Sequence, residues 1–219
     1  MKKVLLVNGS SHEQGCTYTA LKEIQDSLVD AGFESDLIWL KKETMPDCIA
    51  CGYCDKHEGC VYKDVVDDVG RSLDDYAGIV IGSPVYYSGP SARIQGFMDR
   101  LCYAWGDKLD GMFGASVVSC RRGGNSASFE RLNQYFLMNN MYIVGSSYWN
   151  MIHGSRAEDA KLDAEGLQTM RNLALNIAYF LRMQNAAEKA GVLRPKREEP
   201  IMTNFMDGKE AEEEPTEEQ

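Results

Sequence analysis

A chain of 219 residues, 44% of them apolar, can bury one sizeable core, and at roughly 100–200 residues per domain it calls for a single domain. Its net charge of −10 repels phosphate backbones over the general surface, which argues against nucleic acid as a partner, although residues 209–219 supply −5 of that charge as six glutamates against Lys209. No apolar run approaches the ~20 residues a membrane helix needs, and the opening Met1-Lys2-Lys3 leads only into a short apolar segment, so a cytoplasmic protein without a membrane partner is expected.

Val4 to Val7 is an unbroken apolar run that reads as a buried strand, halted by Asn8-Gly9-Ser10-Ser11. Leu21, Ile24 and Leu28 then recur at helical spacing between Thr17 and Ala31, with Gly32 as a stop. A second strand is expected over Asp36 to Leu40. An Asp-rich amphipathic segment from Asp64 to Asp75 precedes a third around Ile79 to Ile81, left through Gly82-Ser83-Pro84. Ala115 to Val118 and Tyr142 to Val144 give a fourth and a fifth. Ile94, Phe97, Met98, Leu101 and Trp105 share one helical stripe, and Leu167, Met170, Ala174, Ile177, Ala178 and Leu181 share another; both read as core-facing helices.

Five strands alternating with helices predict a doubly wound α/β fold with a parallel sheet, because parallel strands need crossover connections. In the flavodoxin-like order 2-1-3-4-5 the switch point lies between the first and third strands, so the loops after Val7 and Ile81 should share one crevice. The domain is expected over residues 1–193, with a cysteine-rich insertion at 47–61. Beyond it the chain turns polar, and 194–219 reads as an acidic, solvated tail.

The loop Asn8-Gly9-Ser10-Ser11-His12-Glu13-Gln14-Gly15-Cys16-Thr17 joins a strand to a helix with two glycines and several hydroxyl or thiol groups. It reads either as an anion cradle, built on the unsatisfied N–H groups of a helix N-terminus, or as an ordinary capped turn. It lacks the Gly-Lys-Ser/Thr of a P-loop and the Gly-x-Gly-x-x-Gly of dinucleotide folds, which leaves a monophosphate as the fitting anion. After the third strand, Gly82-Ser83-Pro84-Val85-Tyr86-Tyr87-Ser88-Gly89-Pro90-Ser91 can lay backbone along a flat ring or simply turn into a helix at Pro90.

Gly-Ser-x-His-x-x-Gly-Cys-Thr after a first strand, followed by Gly-Ser-Pro-Val-Tyr-Tyr, resembles the NADPH-dependent FMN reductase family of the flavodoxin superfamily. The likeness continues in Ser119-Cys120-Arg121-Arg122-Gly123-Gly124 and in Tyr148-Trp149-Asn150-Met151-Ile152-His153-Gly154, and it covers roughly residues 1 to 185. The resemblance implies that Ser10, His12, Cys16 and Thr17 surround the FMN phosphate. It implies that Pro84, Val85, Tyr86, Tyr87, Ser88 and Gly89 border the isoalloxazine, and that Arg121, Arg122, Gly123 and Gly124 close its other side. His12 stands where the family often has arginine and Cys16 where it often has asparagine. His153 is assigned no role, and no catalytic side chain is expected, because the flavin carries the chemistry.

Cys48, Cys51, Cys54 and Cys60 form a C-x2-C-x2-C-x5-C run, dense for a chain with seven cysteines and no disulfide framework. Three readings stay open: an iron–sulfur cluster, a metal-free loop shielding the flavin, or zinc, with disulfide cycling as a variant of the second. The run resembles that of the iron–sulfur flavoproteins, relatives that carry a 4Fe-4S cluster here, which implies these four cysteines as its ligands. Cys102 and Cys120 read as core or loop residues.

The resemblance thus implies an FMN-dependent oxidoreductase that takes hydride from NAD(P)H and passes electrons to a small acceptor such as a quinone, flavin, nitro or azo compound. The rival is an iron–sulfur flavoprotein exchanging electrons with a ferredoxin-like carrier, and a third reading is a flavin-binding sensor. Tyr103, Trp105 and Trp149, taken as exposed aromatics, lead to the expectation of a homodimer or homotetramer.

Overall fold

The computed structural model describes residues 2–198 and residue 201. The chain separates into two units, Met1–Met183 and Gln184–Gln219. The first unit is built from β1 (Lys3–Asn8), α1 (Cys16–Asp30), β2 (Ser35–Trp39), α2 (Tyr53–Lys56), α3 (Val65–Ser72) with a following 3-10 turn (Leu73–Asp75), β3 (Tyr76–Tyr86), β4 (Gly89–Pro90), α4 (Ala92–Leu109), β5 (Phe113–Cys120), α5 (Asn125–Met138), β6 (Tyr142–Ile143), β7 (Met151–His153), α6 (Ala157–Ala160) and most of α7 (Ala164–Lys189).

The parallel sheet runs β2-β1-β3-β5-β6, with β7 also beside β5 and the short β4 turning back on β3. With β4 set aside and β6 and β7 taken as one interrupted strand, this is the flavodoxin-like order expected from the sequence. Register places Asn8 opposite Gly82 and Pro84 opposite Ser119, so three strand ends finish side by side.

Alternation along the strands feeds two cores. Leu5, Val7, Ile79 and Ile81 face one cluster with Ile94, Phe97, Leu101 and Phe136, whereas Val4, Leu6, Val80 and Val117 face another with Leu21, Ile24, Met170 and Ile177. Each central strand is buried on both faces, which is why its sequence reads as an unbroken apolar run rather than an alternating one.

Two expectations are corrected at the strand ends. β3 does not stop at Gly82-Ser83-Pro84 but continues to Tyr86, because Val85 and Tyr86 pair antiparallel with Pro90 and Gly89 across a two-residue turn. The fifth strand is split: Tyr142 and Ile143 pair with Phe113 and Gly114, and pairing resumes only at Met151 opposite Val118. Between them Asn150 substitutes for ladder residues, its Nδ2 donating to the Ser116 carbonyl (3.0 Å) and its carbonyl accepting from Val118 N–H (3.0 Å), so the edge of β5 stays satisfied.

A third correction concerns Trp105. Tyr103 and Trp149 are exposed, but Trp105 is only 3% exposed, packed where a side chain on Gly59 would meet its ring at 2.7 Å. It belongs to the core stripe of α4, so it marks no surface.

Among the described residues no helix is long and apolar enough to cross a membrane. In the second unit, the end of α7 is closed by Gly191 at φ +72, with Val192 N–H donating to the Ala187 carbonyl (2.9 Å), a terminus that needs a left-handed residue. The acidic tail expected over 194–219 lies, beyond residue 198 and apart from Ile201, outside the described residues.

Candidate flavin site and cysteine loop

The loop after β1 is shaped by its own side chains. Buried Asn8 accepts from Ser10 N–H through Oδ1 (3.0 Å) and donates from Nδ2 to the Glu13 carbonyl (2.9 Å), while Ser10 Oγ accepts from His12 N–H (3.0 Å). Trp39 Nε1 donates to the Ser10 carbonyl (2.8 Å) from the neighbouring strand. These bonds curl residues 9–14 over the start of α1. That helix has Gly15 at its N-cap and no side chain capping it, so its first N–H groups are left for an incoming acceptor at the positive end of a helix dipole. This favours the anion-cradle reading over the capped turn.

Cys16 and Thr17 stand in the first turn. Burial pushes the Cys16 thiol up, with Asp159 and Glu158 adding to the effect, so it brings no negative charge to the cradle. Thr17 is buried, and its hydroxyl lies 2.8 Å from that of Ser119 at the end of β5. His12 is exposed at the loop tip.

The three strand-end loops converge. Gly9 N–H donates to the Gly82 carbonyl (2.9 Å), Ser91 Oγ donates to the Gly9 carbonyl (2.8 Å), and the Ser11 and Tyr86 hydroxyls lie 3.4 Å apart. A side chain on Gly82 would strike Thr17 and Leu21 at 2.8 Å, and one on Gly9 would strike Ile94 at 2.7 Å, which is why both positions are glycine. Pro84 and Val85 are half-buried, Tyr86 is 48% exposed, and Tyr87 and Ser88 form the tip of the β3–β4 hairpin with φ +50 and +60. Two adjacent non-glycine residues in the left-handed region carry strain that the pairing of β3 with β4 enforces, and the Tyr87 side chain is fully exposed to solvent.

Arg121, Arg122 and Gly123 are exposed, and Gly124 (φ +89) caps α5 without a side-chain bond. A Cβ on Gly124 would sit 2.9 Å from Ser88 Cα and 3.0 Å from Val85 Cγ1, so this loop rests directly on the hairpin. All fourteen residues expected around the flavin therefore lie on three adjoining segments: the loop after β1 with the first turn of α1, the β3–β4 hairpin, and the turn from β5 into α5. The sequence reading had not given roles to Asn8, Ser83, Ser91 or Ser119, which fasten those loops together; a buried polar residue at a strand end is the signal they offered.

The four clustered cysteines occupy a separate region. Cys48, Cys51, Cys54 and Cys60 line one cavity of about 490 Å³ together with Ile49, Tyr62, Arg100 and Tyr103. Ala50 (φ +51) and Gly52 (φ +64) bend the segment around it. Burial, with Asp55 beside it, pushes the Cys54 thiol up. Four thiols on one cavity match the donor set of a soft, thiolate-bound centre, although among the described residues no three metal-ligating side chains are already drawn to one point. Arg100 escaped the sequence reading; an arginine among the apolar positions of α4 was the clue. Cys102, on the same helix, has its thiol pushed up to about 12 by burial and acts as a core residue.

A doubly wound parallel sheet with an uncapped helix N-terminus after its first strand, and two loops stacked beside it, defines a flavodoxin-like protein. A model of the NADPH-dependent FMN reductase family matches residues 2–155, and the chain belongs to that family of flavodoxin-like, FMN-dependent oxidoreductases. An iron–sulfur flavoprotein of Methanocaldococcus jannaschii is 29% identical over 83% of this chain and 98% of its own length. One of Methanosarcina thermophila is 28% identical over 70% of this chain and 82% of its own. Among solved structures, a flavodoxin, WrbA-like protein from Agrobacterium tumefaciens superposes with a TM-score of 0.60 at 16% identity, covering 84% of this chain and 99% of that one. RosB, with a bound flavin-phosphate intermediate, superposes with a TM-score of 0.64 at 10% identity, covering 100% and 98%. At these identities the two structures speak for the fold.

Proposed function

We propose that this chain is an FMN-dependent oxidoreductase that takes electrons from NAD(P)H and passes them to a small acceptor such as a quinone, a flavin, or a nitro or azo compound. The observation that carries this reading is the convergence of the three strand-end loops, with a free helix N-terminus at one side and a rigid aromatic hairpin at the other. When bound, FMN supplies the hydride chemistry. The N-terminus of α1 with Ser10 and Thr17 receives the phosphate. Pro84 to Gly89 supply a wall for the ring, and the backbone of Arg121 to Gly124 supplies donors at its edge, where negative charge is best stabilised by fixed N–H groups. The seven cysteines, free thiols throughout, fit a reducing compartment such as the cytoplasm.

A second reading is favoured by the cavity that the four cysteines share, and by the names of the archaeal relatives. In it the cysteine loop holds a 4Fe-4S cluster, which supplies one-electron exchange beside the flavin's two-electron chemistry, with a ferredoxin-like carrier as partner; in either reading the proposed assembly is a homodimer or homotetramer.

Purification without oxygen, followed by flavin, iron and acid-labile sulfide analysis and an assay of NAD(P)H oxidation, separates these. Bound FMN with turnover and no iron leaves the first reading alone, and FMN with iron and sulfide supports the second. A colourless protein that ignores added FMN ends both.

A further inference from the structure

The cavity wall carries a charged residue with no part in flavin binding. Arg100 is only 1% exposed, and each of its five N–H donors has an acceptor. Its two terminal nitrogens clasp Asp64 at 2.7 and 2.9 Å and reach the carbonyls of Pro46 (3.3 Å) and Tyr62 (3.2 Å). The remaining donor, Nε–H, points at the sulfur of Cys60 at 3.3 Å. Asp64 in turn caps α3 by accepting from Val66 N–H (3.0 Å), so the guanidinium is bolted to two helices before it meets the sulfur.

Cys60 is fixed on its other atoms as well. Its N–H donates to buried Asp67 (3.3 Å), and its carbonyl accepts from Lys63 Nζ (2.7 Å). The preceding Gly59 has φ +86 and lies so close to Trp105 and Asp67 that no other residue fits. Cys48, Cys51 and Cys54 instead sit on the bent segment that also lines the cavity, Cys51 exposed.

We propose that Arg100 is a positioning residue for a metal centre in the cysteine loop, presenting Cys60 as its pre-set ligand and raising the reduction potential of the centre through the Nε–H to sulfur hydrogen bond. The inference rests on the second reading above. A hydrogen bond to a ligand sulfur and a nearby positive charge both stabilise the more negative, reduced form of a thiolate-bound cluster, and they are recognised determinants of its potential. Asp64 opposes this by neutralising the same guanidinium, so the two residues should act with opposite sign.

The test uses the full chain, wild type and the variants Arg100→Gln, Arg100→Lys and Asp64→Asn, prepared without oxygen. Iron and sulfide per chain are measured, and the cluster potential is read by a redox titration followed by electron paramagnetic resonance. Arg100→Gln should make the reduction equilibrium about tenfold less favourable, ~59 mV for one electron. Asp64→Asn should move it the other way, and Arg100→Lys should fall between Arg100→Gln and the wild type, with FMN content unchanged throughout. If Arg100→Gln does not fold, as judged by its flavin content, Arg100→Lys and Asp64→Asn carry the test. Full clusters with unmoved potentials overturn the inference alone, whereas wild-type protein lacking iron and sulfide overturns the second reading and the inference with it.

Discussion

The hydroxyl of Thr17, in the first turn of α1, lies 2.8 Å from that of Ser119, at the end of β5 and 102 residues further along the chain. Both side chains are buried, so each is the other's means of satisfying a polar group taken out of water. Thr17→Val keeps the shape and removes one partner, leaving the Ser119 hydroxyl orphaned. The expected cost is about 1–2 kcal/mol of stability in a urea titration. Because the pair ties the proposed phosphate cradle to the loop proposed for the ring edge, and Thr17 is itself a proposed phosphate donor, FMN affinity should fall about tenfold, ~1.4 kcal/mol, in a fluorescence-quenching titration. Unchanged affinity would show that the two loops keep their places without this tie and that the Thr17 hydroxyl does not hold the phosphate.

Gly124 is constrained twice, by a φ of +89 and by the hairpin beneath it. Gly124→Ala should cost at least ~1 kcal/mol from the left-handed backbone alone. It should also lift residues 121–124 off Ser88 and weaken FMN binding. Gly145→Ala, at a position with open space around it and outside the three flavin loops, is the control that should leave binding near the wild type.

The hairpin tip gives a contrast between stability and function. Replacing Tyr87-Ser88 with Asn-Gly puts residues suited to positive φ at both positions and should stabilise the protein by about 0.5–1 kcal/mol. The same change removes the Tyr87 ring, so flavin affinity should drop while the melting temperature rises. A simultaneous fall in both would mean that the tip is not strained.

Tyr76 makes the alkaline limb of stability testable. Burial, reinforced by a hydrogen bond from its hydroxyl to Asp36 (2.9 Å), pushes this phenol up to about 12. In the unfolded chain a tyrosine ionises near ~10. The contribution of neutral Tyr76 is therefore intact below pH ~10 and is lost as pH rises from there through about 12, amounting to on the order of 2 kcal/mol. Denaturant midpoints measured across that window should fall for the wild type and fall less steeply for Tyr76→Phe.

Much of this was legible in the residues themselves. Val4 to Val7 announced a buried strand and Ile79 to Ile81 another strand, Gly32 announced a helix end, and the serines and glycines of residues 8–17 announced a donor-rich loop between strand and helix. Each of those readings rests on the periodicity or conformational preference of a few neighbouring residues, which the chain carries wherever it goes. The failures lie where a partner intervened. Gly82-Ser83-Pro84 looks like an exit from a strand until Gly89 and Pro90 fold back to extend the pairing, and Tyr142 to Val144 looks like a whole strand until Asn150 takes over its neighbour's hydrogen bonds.

The sequence by itself determined the central strands and the core-facing helices α1, α4 and α7, where the loops rich in donors fall, and that four cysteines sit within thirteen residues. Only the tertiary structure decided that Thr17 meets Ser119, that Gly124 rests on Ser88, that Trp105 turns inward, and that Arg100 aims a donor at Cys60. The division has a physical cause. Local preference acts over a few residues of backbone, whereas these pairings depend on the order and register in which distant strands and helices pack, and no short stretch of chain contains that information.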